Sequence, residues 1–213
     1  GQGALWRKAL TGSLDLGDVE REISGQLDAF EKTFSSLPNF LDGHHHVHQI
    51  PSIREVVVRV VAERYADKDF YIRTTAEEPL AVVKRGVSVA KALTMTLLGR
   101  SQELLAHEFG IRTNNGFSGV YDFSNKVPYR DLFKRFVSGG RDRMLIMCHP
   151  GYSDDLLKTL DSVIEQREIE LAYFNGDEFL GDLDQAGFRL ARFRSDFQRS
   201  SIKAEKPGRE LNT

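Results

Sequence analysis

Short apolar runs alternate with stretches of helical period along most of this chain. In residues 15–35, Val19, Ile23, Leu27, Phe30 and Phe34 recur at helical spacing, which predicts a helix capped by Asp15 or Asp18. Residues 39–42 read as a short buried strand. Pro51 then opens a second helix, in whose first turn its missing N–H costs nothing. Ile53, Val56, Val57, Val60 and Val61 form the buried stripe of that helix. Residues 70–74 make a compact strand candidate, and 82–98 and 102–109 read as two helices separated near Gly99. Asn114-Asn115-Gly116 signals a turn ahead of the apolar run 117–121. Residues 129–137 predict a short helix ending at Gly139-Gly140.

Residues 144–148 are the strongest buried-strand candidate in the sequence. Ser153-Asp154-Asp155 provides a cap and an acidic first turn for a helix over 156–166. Further on, 171–174 reads as a strand, 177–185 as a helix closing at Gly187, and 188–193 as a last strand. This rhythm predicts one α/β domain over residues 1–195, with a largely parallel sheet flanked by helices, followed by a polar tail over 196–213. Folds of this kind assemble their sites at the C-terminal ends of strands.

The chemistry concentrates at two such ends. Leu41-Asp42-Gly43-His44-His45-His46-Val47-His48 holds four of the chain's six histidines, and a fifth stands in Met147-Cys148-His149-Pro150. Imidazole binds borderline metals and moves protons near neutral pH, so the clustering points to one metal-assisted site. Alternating side-chain direction would put His44, His46 and His48 on one face, with His45 pointing away. A divalent ion takes two or three such ligands plus a carboxylate. Asp42 is the nearest carboxylate, as a ligand or as an acceptor orienting a ligating ring. His149, fixed between a strand and Pro150, suits general acid work. Arg73 can fix a substrate oxygen by paired hydrogen bonds. Phe117, Tyr121 and Tyr152 can offer stacking faces to a sugar ring. Cys148 lies in an apolar run that favours burial and inertness over nucleophilic chemistry.

Composition narrows the alternatives. The chain is 40% hydrophobic and 28% charged, with a net charge of −2, so nothing favours nucleic acid or an anionic membrane as partner. No apolar stretch approaches the length of a membrane span, and no signal peptide is evident. A single cysteine excludes an intramolecular disulfide and fits a reducing, cytoplasmic compartment. No phosphate-cradling glycine loop occurs.

The histidine run, with Pro51, closely resembles the Asp-Ser-His-(His/Gln)-His-Val-His segment of the YdjC, or chitooligosaccharide deacetylase, family. That family includes deacetylases associated with hopanoid synthesis. Arg73 and the Cys-His-Pro segment recur in the same order and at similar spacing, and the resemblance runs from about Leu5 to Phe193. It implies a distorted (β/α) barrel that removes N-acetyl groups from amino sugars with a divalent ion, commonly magnesium, with zinc as the alternative. His44 then matches a metal ligand, and His149 the histidine that protonates the leaving amine. The combined reading assigns His44 and His48 to the metal, Asp42 and His149 to catalysis, and Arg73 and His46 to a small-molecule or oligosaccharide substrate.

The family's Asp-Asp-Phe-Gly strand and its Gly-x-His-x-x-Leu segment have no counterpart here. The expectation is therefore a barrel lacking its N-terminal portion, with weak metal binding, little hydrolysis and an open edge that favours a homodimer. The competing classes are a non-catalytic metal- or carbohydrate-binding module and a metal-dependent phosphoester hydrolase.

Overall fold

Among the described residues, the two-residue strands all pair in parallel, in keeping with the β-α rhythm. The computed structural model describes residues 2–193. The expected tail, 196–213, and residues 194 and 195 of the expected domain lie outside them. Helix α1 (Gln2–Leu10) was not anticipated; it packs through Ala9, Leu5 and Trp6 on the first core cluster. Helix α2 (Leu16–Phe34) starts where expected, with the Asp15 carboxylate accepting the Asp18 N–H at 3.1 Å. It lies on α3 (Ile53–Tyr65), tied by paired Arg59–Glu20 hydrogen bonds of 2.9 Å. Phe30 and Phe34 do not join the core as their spacing suggested. They remain 38% and 63% exposed, packed on each other.

Strands β1 (Phe40–Leu41), β2 (Tyr71–Ile72) and β3 (Arg112–Thr113) form one sheet in that order. Strands β4 (Phe117–Ser118) and β5 (Leu145–Ile146) form a second. Among the described residues the five strands make two separate parallel sheets and not a closed ring, so the structure is mixed α/β with helices predominating. The buried Asn114 amide links the sheets. Its Oδ1 accepts the Thr74 N–H at 2.7 Å, and its Nδ2 donates to the carbonyls of Thr74 and Gly116 at 3.0 and 2.8 Å. One side chain thus replaces the strand pairing that the turn interrupts.

Two expected helix boundaries move. The chain breaks at Gly86, whose φ of +64° ends α4 (Pro79–Arg85), and α5 (Val89–Glu108) then runs unbroken through Gly99. Gly99 is there for close approach: a Cβ would lie 2.3 Å from the Ala76 nitrogen and 2.4 Å from the Thr75 carbonyl carbon. Helix α6 (Tyr129–Val137) agrees with its expectation, whereas the helix expected over 156–166 is split into α7 (Asp155–Leu160) and α8 (Glu165–Asn175). Asp161 makes the break, accepting the Val163 N–H at 2.9 Å and the Arg167 guanidinium at 2.6 Å.

Helix α8 also takes up the expected strand 171–174. Its buried positions are Gln166, Glu170 and Tyr173, so a helical stripe carried by polar residues escaped a hydrophobic reading. Helix α9 (Glu178–Gln185) follows, and no strand forms over 188–193. The expected strand 144–148 pairs only at Leu145 and Ile146 and is half-buried, and Cys148 is exposed.

An aliphatic core under β1 and β2 centres on Val56, Val57, Val58, Val60, Val61 and Ile72. An aromatic one under β4 centres on Tyr129, Phe133, Phe136, Tyr173 and Phe179.

Candidate functional site

The histidine run follows β1 and folds as a turn of 3-10 helix (His44–Gln49), neither extended nor one-faced. His45 and His46 adopt φ of 51° and 60°, two consecutive non-glycine residues in the left-handed region. Such strain persists where surrounding contacts over-determine the backbone. His48 supplies those contacts. Its ring is 2% exposed, its Nδ1 accepts the Gly43 N–H at 3.0 Å, and its Nε2 donates to the Arg73 carbonyl at 2.8 Å. Gly43 makes room, since a Cβ there would sit 2.4 Å from His48 Nδ1. Burial, and then the Arg73 charge, push the ring down to about 4. With both nitrogens engaged, His48 has no lone pair for a metal, against its expected role as a ligand.

Arg73, at the end of β2, is the buried hub. Its Nε lies 3.0 Å from Asp42 Oδ1, and Nη2 bonds the same oxygen. Nη1 lies 2.7 Å from His46 Nδ1, and the guanidinium carbon is 5.5 Å from the Phe117 ring centroid. Three of the five guanidinium N–H groups are therefore engaged within the protein, and the residue is 4% exposed. Burial, and then the Arg73 charge, hold His46 at about 3. Arg73 thus joins the first histidine motif to β4 through Phe117, whose ring also meets His46 edge-on at 6.3 Å.

His149 follows β5 as expected. It packs edge-on against Phe123 at 5.1 Å, and its Nδ1 is buried with no hydrogen-bond partner among the described residues. Its pKa is held below the ordinary imidazole range, chiefly by burial and then by the Arg167 charge. His45 lies close enough to oppose its protonation as well. The two histidine motifs thus follow strands of different sheets, β1 and β5, each just beyond its strand's C-terminal end.

Glu170 on α8 was missed from sequence. Fully buried, it accepts the His149 backbone N–H and the Tyr121 hydroxyl, the latter at 2.5 Å. Desolvation pushes its pKa up. Its spacing from Gln166 and Tyr173 was the available signal. A second missed group, Glu77, is buried between Arg85 at 2.7 Å and Arg141 at 2.9 Å, and Arg85 also donates to the Phe117 carbonyl at 3.4 Å. Cys148 is exposed, against its expected burial, and its thiol is pushed up to about 11 by desolvation of the sulfur and then by Glu170. Tyr121 is buried and pairs with Glu170, so its ring is packing. Tyr152, 85% exposed beyond His149, remains open to a ligand.

Metal binding was tested against these donors. Among the described residues no group of three His, Cys, Asp or Glu side chains is placed to hold an ion. His48 is fully engaged, His46 accepts from Arg73 through Nδ1, and Asp42 Oδ1 is taken by Arg73. His44 and Asp42 Oδ2 remain in this motif, and with His149 they form no three-ligand group among the described residues, short of the three protein ligands of a catalytic zinc site. The described residues do not by themselves fit a catalytic divalent ion.

Comparison with known proteins agrees with the resemblance. Chitooligosaccharide deacetylases of Yersinia pestis (strain Pestoides F) and Yersinia pseudotuberculosis serotype O:1b (strain IP 31758) are 28% identical over 189 residues, 89% of this chain. The chain spans about 65% of the length of these relatives. A crystal structure of an Enterococcus faecalis V583 protein assigned to cellobiose-phosphate cleavage shares the fold, with a TM-score of 0.59 and 18% identity. That match covers 84% of this chain and 60% of the other. Residues 1–185 match the YdjC-like protein family, and the chain belongs to it.

Proposed function

We propose that this chain carries part of the active site of a carbohydrate N-deacetylase, which hydrolyses the N-acetyl group of an amino sugar or oligosaccharide. One observation carries the reading: both histidine motifs stand just beyond the C-terminal ends of parallel strands, the turn after β1 packed on the buried Arg73 and His149 after β5 held by Glu170. The names of the Yersinia relatives support the reaction class.

Amide hydrolysis needs a proton taken from water and a proton given to the departing amine. His149 rests neutral because its pKa is held down, so it is ready to accept the first proton and deliver it as the second. Glu170 fixes the backbone of His149 and leaves the ring to the substrate. Asp42 keeps one carboxylate oxygen outside its Arg73 contacts, available to a water or a ligand. His44 is the imidazole that supports the proposed magnesium or zinc dependence, and the remaining ligands would have to come from beyond the described residues. No helix among those residues is long and apolar enough to cross a membrane. A small amino sugar or its oligomer is the proposed partner.

The incomplete donor set favours a second reading, a module that binds carbohydrate without cleaving it. Acetate release from N-acetylglucosamine oligomers, with magnesium or zinc added, separates the two for the 213-residue chain and for the full product of its gene. Release by the full product, lost in His149→Ala, is the expected result. Oligomer binding with no acetate from either protein would establish the binding module instead.

A further inference from the structure

We propose that His46 is locked in its Nε2–H tautomer by Arg73 and serves as a fixed hydrogen-bond donor to an acceptor oxygen of the substrate. The assignment of that oxygen to an N-acetyl carbonyl rests on the deacetylase reading. The tautomer does not.

A guanidinium has donors and no acceptor. Its Nη1 lies 2.7 Å from His46 Nδ1, so that nitrogen offers its lone pair. A proton there would set N–H against N–H, and turning the ring over would present a carbon in its place. The proton of the neutral ring therefore sits on Nε2. Arg73 cannot easily give way. It is 4% exposed, held through Nε and Nη2 by Asp42, through its backbone N–H by the Leu41 carbonyl at 3.1 Å, and through its own carbonyl by His48.

The other side of the His46 ring is open. Nε2 has no hydrogen-bond partner among the described residues, and the residue is only partly buried. The left-handed backbone at His45 and His46 turns the ring onto Arg73 and the Phe117 edge instead of along a strand. A neutral imidazole presenting N–H can neither ligate a cation through that nitrogen nor abstract a proton with it. It can polarise a carbonyl or grip a hydroxyl, and a donor fixed in advance needs no reorganisation when charge develops on that oxygen. Asp42 and Arg73 are then positioning residues: the carboxylate orients the guanidinium, and the guanidinium selects the tautomer. Among the four clustered imidazoles, this separates the donor (His46) from the structural anchor (His48).

Long-range proton–nitrogen correlation of 15N-histidine-labelled protein at neutral pH reads the tautomer directly, with His46 assigned by the signals lost in His46→Gln. The expected wild-type pattern is Nε2–H, and Arg73→Lys should mix the tautomers. An Nδ1–H or mixed pattern in the wild type overturns the proposal. Calorimetry with N-acetylglucosamine oligomers tests the donor. His46→Gln, whose amide N–H can reach the same oxygen, should bind within about threefold of wild type, and His46→Ala about tenfold more weakly. Equal binding by His46→Ala and wild type overturns the donor role. An Nε2–H pattern in a wild type that binds no oligomer refutes the carbohydrate reading while upholding the tautomer.

Discussion

Protonating His48 dismantles the base of the site, because the ring fixes Gly43 on one side and Arg73 on the other. The unfolded chain takes up a proton near pH 6.5, whereas the folded ring resists it until about pH 4. A depressed folded pKa confers stability that is complete above about pH 6.5 and drains away as the pH falls towards 4. Between pH 7.5 and 4.5, the linkage amounts to about 2.5 kcal/mol at about 1.36 kcal/mol per pH unit. His46, held at about 3, loses stability in the same direction over the same window. The assay is urea unfolding of wild type and His48→Asn at the two pH values. The asparagine oxygen can accept the Gly43 N–H but does not titrate. It forfeits the Arg73 carbonyl contact, so the variant should be less stable at pH 7.5 by about 1 to 3 kcal/mol. Its further loss on acidification should be about 2.5 kcal/mol smaller than that of the wild type. Identical losses in the two proteins would refute the reasoning.

Gly99→Ala places a Cβ against the backbone of Thr75 and Ala76, where neither neighbour can rotate away. A thermal melt should show a loss of about 2 kcal/mol or more, within or above the range for overpacked cores. Glu77→Gln leaves Arg85 as a buried, weakly compensated cation, and breaking such a pair costs about 3 to 5 kcal/mol. Glu77→Leu combined with Arg85→Met should recover most of that in urea titrations, and no recovery would contradict the desolvation argument. Cys148, with its thiol at about 11 in place of 9.0, carries about 100-fold less thiolate at pH 7.5. Its alkylation should lag free cysteine by a comparable factor, and reaction at the free-thiol rate would remove the basis for its inertness. Isothermal titration of the 213-residue chain should show only weak magnesium or zinc binding, diminished in His44→Ala. Tight binding would mean that the described residues supply more ligands than their hydrogen bonds leave free.

What the sequence revealed follows from what hydrophobic period can encode. Helices α2, α3 and α6 and strands β1 and β2 were legible from apolar spacing, although Pro51 falls in the turn before α3 instead of its first turn, and Phe40 of β1 is 53% exposed where burial was expected. Gly99 was read as a breaker because glycine usually is one. In α5 it permits contact with the β2 loop, a tertiary reason that no local pattern carries. Helix α8 failed for the opposite cause: its buried stripe runs through Gln166 and Glu170, which a hydrophobic template scores as surface.

The site shows the same division. Clustering at strand ends identified His44, His46, His48, His149, Asp42 and Arg73 as candidates, since each stands at the C-terminal end of a strand or just beyond it. Their division of labour was not legible, because it depends on which nitrogen faces which partner. Alternating direction predicted that His44, His46 and His48 would share a face. The 3-10 turn with its two left-handed residues instead sends His48 into the core and His46 onto Arg73. A run of four similar side chains thereby becomes a set of distinct chemical groups, and the selecting element is an arginine 27 residues beyond His46. Counting histidines therefore overstates the metal-binding capacity of this motif. Each imidazole whose Nδ1 accepts a hydrogen bond from the fold carries its proton on Nε2, and only rings outside that network keep a lone pair for an ion. On that ground His44, not His48, is the residue whose removal should diminish whatever metal this chain binds.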